Sequence, residues 1–374
     1  MRIAILSRRF DAHGGGTERD LIVTAQCLRE AGHEIVIYAD VIRSPAAEWD
    51  VRRVPGPRLG RTMGLLRFAQ GAAPAARRDG AEIVLSFARA IGADIMRSGG
   101  GAHVSYVRAA RQWRGAAAAA AMRFSAYHRA QMLVEWRAFQ WPGLKRVIAV
   151  SELVRKDLIR QFGLAPEKTA TIYNGVDLER FRPTADRTGR DSIRAQFSLP
   201  GTARVVAFVG NGFARKGLRF LIEAWRVIPG SPFLLVVGTD RAAEVYKRQA
   251  QAMGIGERVI FAGSQPDVAA IFQAVDALAL PSFFEPFGNV VMEAMASGLP
   301  VLTSVHCGAA ELLPPAMRAY CVRNPADTGE VAIRMTALLD APAALRNEAR
   351  AAAAKFTWKR YARELTALID SLRA

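Results

Sequence analysis

Short apolar runs alternate with helical segments along this 374-residue chain, and the alternation starts afresh once. The first series opens with an apolar run at Arg2–Ser7, a glycine loop 14-GGGTERD-20, and a helical face marked by Leu21, Ala25 and Leu28. Thr17 reads as the N-cap of that helix with Asp20 at N3, and Gly32 as its stop. Further β runs follow at 34-EIVIYAD-40, 82-EIVLSF-87 and 146-RVIAV-150. The pattern resets after Gly163. The segment 169-TATIYNGVD-177 leads into a polar stretch, ERFRPTADRTGRD, which reads as exposed loop. A second series then runs through 204-RVVAFVG-210, 233-FLLVVG-238, 258-RVIFAG-263, 277-ALALPS-282 and 299-LPVLTS-304. Strands alternating with helices require parallel sheets covered on both faces. The fold class expected is therefore α/β, two doubly wound domains in tandem, with a ligand cleft between them. The Ala-rich segments 115–121 and 349–354 favour helix.

Length agrees with two domains, and 51% hydrophobic with 23% charged residues is the composition of a folded chain. Cys27, Cys307 and Cys321 are widely spaced and form no CxxC pair, which argues against a disulfide framework or a zinc site and fits a reducing compartment. The opening MRIAILSRRF lacks a signal-peptide apolar core, and no run reaches bilayer-spanning length. The expected location is cytoplasmic, either free or peripheral on the cytoplasmic face of the inner membrane. Lys and Arg total 51 against 34 Asp and Glu, a net charge of +17. A surface of that sign attracts polyanions: nucleic acid, anionic lipid or a phosphorylated substrate.

Three stretches carry candidate chemistry. The glycine loop lets backbone approach a ligand near a helix start, but Arg19 stands where a dinucleotide fingerprint needs glycine. In 209-VGNGFARKG-217, Arg215 and Lys216 are adjacent cations at the C-terminal end of a β run, suited to a diphosphate. In 281-PSFFEPFGNVVMEAMASG-298, Glu285 falls in a loop and Glu293 one turn inside the following helix. The amides near Gly288 to Val290 are placed to hold phosphate oxygens, and the two carboxylates to accept hydrogen bonds from hydroxyls. The competing readings are a solvated turn for the Arg-Lys pair and, for the carboxylates, a surface-exposed Glu285 with Glu293 capping or paired with an Arg.

The Glu-x7-Glu pair, the Arg-Lys glycine loop, 174-NGVDLERF-181, the N-terminal glycines and 298-GLPVLTS-304 together resemble the family 4 retaining glycosyltransferases of GT-B architecture, over nearly the whole chain. The resemblance implies two Rossmann-like domains facing a central cleft: an acceptor-binding domain over 1–168, a nucleotide-sugar domain over 169–357, and a final helix near 358–374 packing back on the first. It implies that Arg215 and Lys216 neutralise the donor diphosphate and that Glu293 binds the ribose hydroxyls. Glu285 would contact the donor sugar at its reacting face. Asn289 and Val290 would hold sugar or phosphate through backbone amides, and Gly15 and Gly16 would line the phosphate from the other domain. The base pocket would fall near 262-AGSQPDV-268.

His103, in 99-GGGAHVSYVR-108, occupies the place where many relatives have a histidine near the reacting sugar. His13, beside the glycine loop, is a weaker candidate. The segment 14-GGGTERDLIVTAQCLREAGHEIVIYAD-40 is similar to the enzymes that glucosylate inner-core heptose of lipopolysaccharide, which implies an acceptor-side role for Asp20. Some of those enzymes carry Asp where His103 stands here, which leaves donor and acceptor open. The expected partners are a nucleotide-sugar donor, most readily a UDP-sugar, and a glycolipid or lipopolysaccharide-core acceptor. No metal or other cofactor is expected, because the cation pair supplies the charge. Residues 106–146 are dense in Arg and aromatics, with Met132, Trp136 and Phe139 on one helical face, which fits an anionic membrane surface or else a solvated set of acceptor-domain helices. No nucleic-acid module is recognisable. The rival functions are an acceptor-independent epimerase, a phosphorylase of the same two-domain shape, and a non-catalytic binder of nucleotide sugars or polyanions.

Overall fold

The computed structural model describes residues 1–12, 14–44, 47–56, 60–184 and 187–372. The chain forms two compact units. The first comprises Met1–Arg111, Gly115–Gly175 and Trp358–Ala374, the second Gln112–Arg114 and Val176–Thr357.

In the first unit, β1 (Arg2–Phe10), β2 (Glu34–Ile42), β3 (Asp50–Arg53), β4 (Ile83–Ser86), β5 (Ile95–Ser98), β6 (Arg146–Ala149) and β7 (Thr169–Thr171) form a sheet in the order β3-β2-β1-β4-β5-β6-β7. Every pairing is parallel. Ile3, Ala4, Ile5 and Leu6 of β1 are fully buried, as a central strand covered on both faces requires. Each such Ile or Leu contributes about 1.5–3 kcal/mol relative to exposure. The helix Trp358–Asp370 lays Tyr361, Leu365 and Ile369, spaced three to four residues apart, into the same core. Tyr361 also shares a 2.8 Å hydrogen bond with Thr24 of the helix Gly16–Glu30.

In the second unit, β8 (Val205–Val209), β9 (Phe233–Val237), β10 (Val259–Gly263), β11 (Ala277–Leu280) and β12 (Val301–Thr303) form a parallel sheet in the order β10-β9-β8-β11-β12. Both sheets are doubly wound, so the α/β class holds. Each reverses its winding direction once, between β1 and β4 in the first unit and between β8 and β11 in the second. The crevice beyond the strand ends at such a reversal is where ligands of doubly wound sheets bind.

Three local expectations are corrected. The first helix is capped by Gly15 and begins at Gly16, which puts Thr17 inside it and makes no side-chain cap. Residues 169–171 pair with β6, so the first unit extends to Gly175 rather than ending at 168. Part of the stretch read as loop is helical, Arg187–Gln196. That helix is anchored by Arg194, whose buried guanidinium bonds the carbonyls of Ala274, Pro200, Gly201 and Ala203 and pairs with Asp276 at 3.1 Å.

Candidate active site

In the second unit the loops after β8 and β11 meet at the reversal point. Phe283 N–H donates to Arg215 O at 2.9 Å, and the Arg215 guanidinium bonds Phe284 O. Gly217 makes this approach feasible. It sits at φ +81°, and a Cβ there would lie 2.2 Å from Pro281 O. The EPFG loop is fixed from its other side as well. Glu285 N–H donates to His306 O at 3.0 Å, Gly308 N–H to Glu285 O at 2.9 Å, and Ala309 N–H to Phe287 O at 2.7 Å. Beneath it, the Cys307 Sγ–H donates to Phe287 O at 3.0 Å, and burial pushes this thiol up to about 12, so it stays protonated and inert.

These contacts bring three of the sequence candidates together. Glu285 Oε2 accepts from Lys216 Nζ at 2.6 Å and from Arg215 Nη1 at 3.0 Å. Burial pushes the Glu285 carboxyl up, but Lys216 and then Arg215 outweigh it and hold it down at about 2. Glu285 is therefore ionised at neutral pH and has no proton to donate. Two cations facing one carboxylate leave the cluster with one net positive charge, which suits an anion. The helix Asn289–Ala296 starts four residues after Glu285, behind Gly288 at φ +94°. Asn289 and Val290 form its first turn, where the helix dipole is positive, and Glu293 is buried further along it.

The other candidates belong to the first unit. Gly15 and Gly16 lie at the start of the first helix, near the β1/β4 reversal. His103 is buried at the start of the helix His103–Ala109. Its backbone N–H donates to Glu135 Oε2 at 2.7 Å, and its Nε2 lies 2.9 Å from His128 Nδ1 with the rings stacked. Burial, reinforced by Arg89 and His128, pushes the His103 imidazole down to about 3, so it is neutral at physiological pH. Asp20 is buried, and its Oδ2 accepts from Asn174 Nδ2 at 2.8 Å and from Arg97 at 3.4 Å. These partners tie the first helix to β5 and to the NGVD segment through Asp20. His13 lies outside the described residues.

Sequence reasoning missed Glu135, which also pairs with Arg89 at 2.8 Å and thereby joins the His103 helix to the segment after β4. Its only signal was a carboxylate flanked by the buried Val134 and Ala138 on one helix. The expected apolar face of Met132, Trp136 and Phe139 is divided: Phe139 packs on Phe162 with ring centroids 4.5 Å apart, whereas Trp136 is exposed.

Against known proteins, residues 14–180 match the Glycosyltransferase Family 4 pattern and residues 189–356 the Glycosyl transferases group 1 pattern. The chain carries a Glycosyltransferase Family 4 domain followed by a Glycosyl transferases group 1 domain. Its fold is that of WaaG, a glycosyltransferase involved in lipopolysaccharide biosynthesis, with a TM-score of 0.82 at 21% identity over 98% of this chain and 99% of that one. Anabaena HepE in complex with UDP and glucose gives 0.77 at 20% identity, over 99% of this chain and all of that one. Among curated proteins, the D-inositol 3-phosphate glycosyltransferase of Mycolicibacterium smegmatis is 30% identical over 220 residues, which is 57% of this chain and 50% of that protein. The chain thus spans about half the length of that relative. The two halves of this GT-B chain each set a ligand-competent reversal point on a parallel sheet, and in the second half the Arg-Lys loop and the EPFG loop occupy it.

Proposed function

We propose that this protein transfers a hexose, with retention of anomeric configuration, from a nucleotide diphosphate sugar to a sugar hydroxyl of a glycoconjugate. UDP-glucose is the favoured donor and a lipopolysaccharide core heptose the favoured acceptor. The observation that carries the reading is the Arg215–Lys216–Glu285 cluster at the β8/β11 reversal. The UDP and glucose bound by HepE support the choice of donor, and the fold shared with WaaG supports the choice of acceptor.

In this mechanism the bond between the anomeric carbon and the diphosphate oxygen breaks as the acceptor oxygen attacks from the same face. Arg215, Lys216 and the helix start at Asn289 and Val290 receive the negative charge that builds on the leaving diphosphate. The acceptor proton passes to a leaving phosphate oxygen, so the ionised Glu285 is not asked to move it. Glu285 accepts hydrogen bonds from donor-sugar hydroxyls and Glu293 from the ribose, while Gly15 and Gly16 line the phosphate. His103, being neutral, contacts a sugar hydroxyl by a hydrogen bond and not by charge. Metal-free turnover is part of the proposal, with the cation pair in the role a metal would fill.

A peripheral position on an anionic membrane face completes the reading. Among the described residues no helix is long and apolar enough to cross a membrane. Phe124, Leu133, Trp136 and Trp141 are exposed, at 80%, 47%, 53% and 42%, beside the exposed Arg123, Arg129 and Arg137. Exposed aromatics interleaved with arginines suit a headgroup layer. A donor screen on truncated core lipopolysaccharide, read as nucleoside diphosphate release, tests the reaction. Failure of every donor tried to release nucleoside diphosphate would refute it.

A further inference from the structure

The first unit has a second basic site that the proposed donor chemistry does not use. A cavity of ≈490 Å³ opens at the β1/β4 reversal, lined by Ser7, Arg8 and Arg9 from the end of β1 and by Phe87, Ala88 and Arg89 beyond β4. Thr17 and Glu18, in the first turn of the helix Gly16–Glu30, and Arg61 and Tyr127 also line it. Four guanidinium groups thus face one lining carboxylate.

The arginines are held in different ways. Arg8 Nη2 donates to Asp40 at 3.1 Å, and Asp40 is shared with Arg67, so this carboxylate is divided between two cations. The Arg8 Nε is buried with no hydrogen-bond partner among the described residues. Arg89 is fixed by the buried Glu135. Arg9 reaches Glu18 only at 4.0 Å. The Arg61 guanidinium lies 3.8 Å above the Tyr127 ring and makes no ion pair among the described residues. Burial pushes the Tyr127 phenol up, but hydrogen bonds from Gln131 and then Arg61 outweigh it and lower it overall. An orphaned donor and a cation with no carboxylate partner, both at the strand ends where such sheets bind ligands, form a site short of negative charge.

We infer that this cavity receives an anionic group, a phosphate monoester or a carboxylate, carried on the sugar acceptor. The forked guanidinium groups of Arg8, Arg61 and Arg89 match the paired oxygens of either group. The word acceptor rests on the glycosyl transfer proposed above; the anion site itself does not.

The test is calorimetric titration of the full chain with glucose 6-phosphate, glucuronate and glucose. Glucose 6-phosphate or glucuronate should bind at least tenfold more tightly than glucose, and the stronger of the two identifies the anion. R61Q, a change at an exposed position, should remove most of that preference, and R8Q should do the same. R215Q/K216Q should keep it. Melting temperatures verify folding, and R61K, which preserves charge, should restore part of the preference should R8Q fail to fold. Equal binding of all three sugars overturns the inference. So does a preference lost in R215Q/K216Q but kept in R61Q, or displacement of glucose 6-phosphate by UDP, because the anion would then be the donor's. Separate assay of donor turnover keeps the two readings apart. Turnover without anion preference sinks only this inference, and anion preference without turnover sinks only the proposed transfer.

Discussion

Lys216 Nζ lies 2.6 Å from Glu285 Oε2, although 69 residues separate the two in sequence, and Arg215 reaches the same oxygen at 3.0 Å. One carboxylate holds two cations at a strand end, so removing any of the three changes both charge and geometry.

Replacing Lys216 by Ala leaves Glu285 with a single partner. In the proposed reaction the diphosphate loses its nearest ammonium. We expect turnover to fall by about 10²–10³-fold, the range for loss of one charge-stabilising donor. Steady-state kinetics across donor concentrations would measure it, and a change below threefold would contradict the role.

Glu285→Gln should separate binding from chemistry. It raises the cluster's net charge by one, so UDP should bind at least as tightly as to the wild type, while sugar turnover drops because the hydrogen bonds to the sugar weaken. Calorimetry with UDP beside the kinetic assay makes the comparison. Weaker UDP binding would show that the carboxylate serves mainly to order the loop.

Gly217→Ala forces either the Arg215–Lys216 loop or the Pro281 backbone to move, because the added carbon would sit 2.2 Å from Pro281 O at a φ of +81°. A cost of about 1–3 kcal/mol is expected from the strained conformation. The melting temperature should fall, and turnover should fall with it even though no charged group has changed.

Acid sensitivity should begin with His103. Its folded value of about 3 is below the usual 6.5, so the unfolded chain binds a proton first and stability declines as pH drops below about 6.5. Glu285, held at about 2 against an ordinary 4.5, adds a second loss that sets in below about 4.5 and is complete below about 2. Melting temperatures between pH 7.5 and 5.0 should fall less steeply in H103Q than in the wild type. Identical slopes would remove His103 from the account.

Much of this was legible in the chain. The strand-helix alternation gave both parallel sheets, because fully covered strands such as Ile3–Leu6 and Val205–Val209 read as unbroken apolar runs. The Arg-Lys and Glu-x7-Glu motifs marked two loops that the fold brings together, but not the ion pairs between them, since those depend on how two loops 69 residues apart are pinned together. The partners of Asp20 were not legible for the same reason: Arg97 and Asn174 come from distant segments, and nothing local announces them. The short β7 was assigned to the wrong half because three residues carry too little pattern to show which sheet they join. The arginines of the first cavity were visible only as part of a general basic excess, for their convergence is a property of the β1/β4 reversal.

The central claim is that the Arg215–Lys216–Glu285 cluster serves retaining transfer of a hexose. Its most direct test is proton NMR of the product formed from UDP-glucose and heptose-terminated core acceptor, in the presence of EDTA. The account predicts UDP release matched by a new α-linked glucose, undiminished by the chelator and slowed by about 10²–10³-fold in K216A. A β-linked product, or release of UDP that proceeds unchanged in K216A, would contradict it.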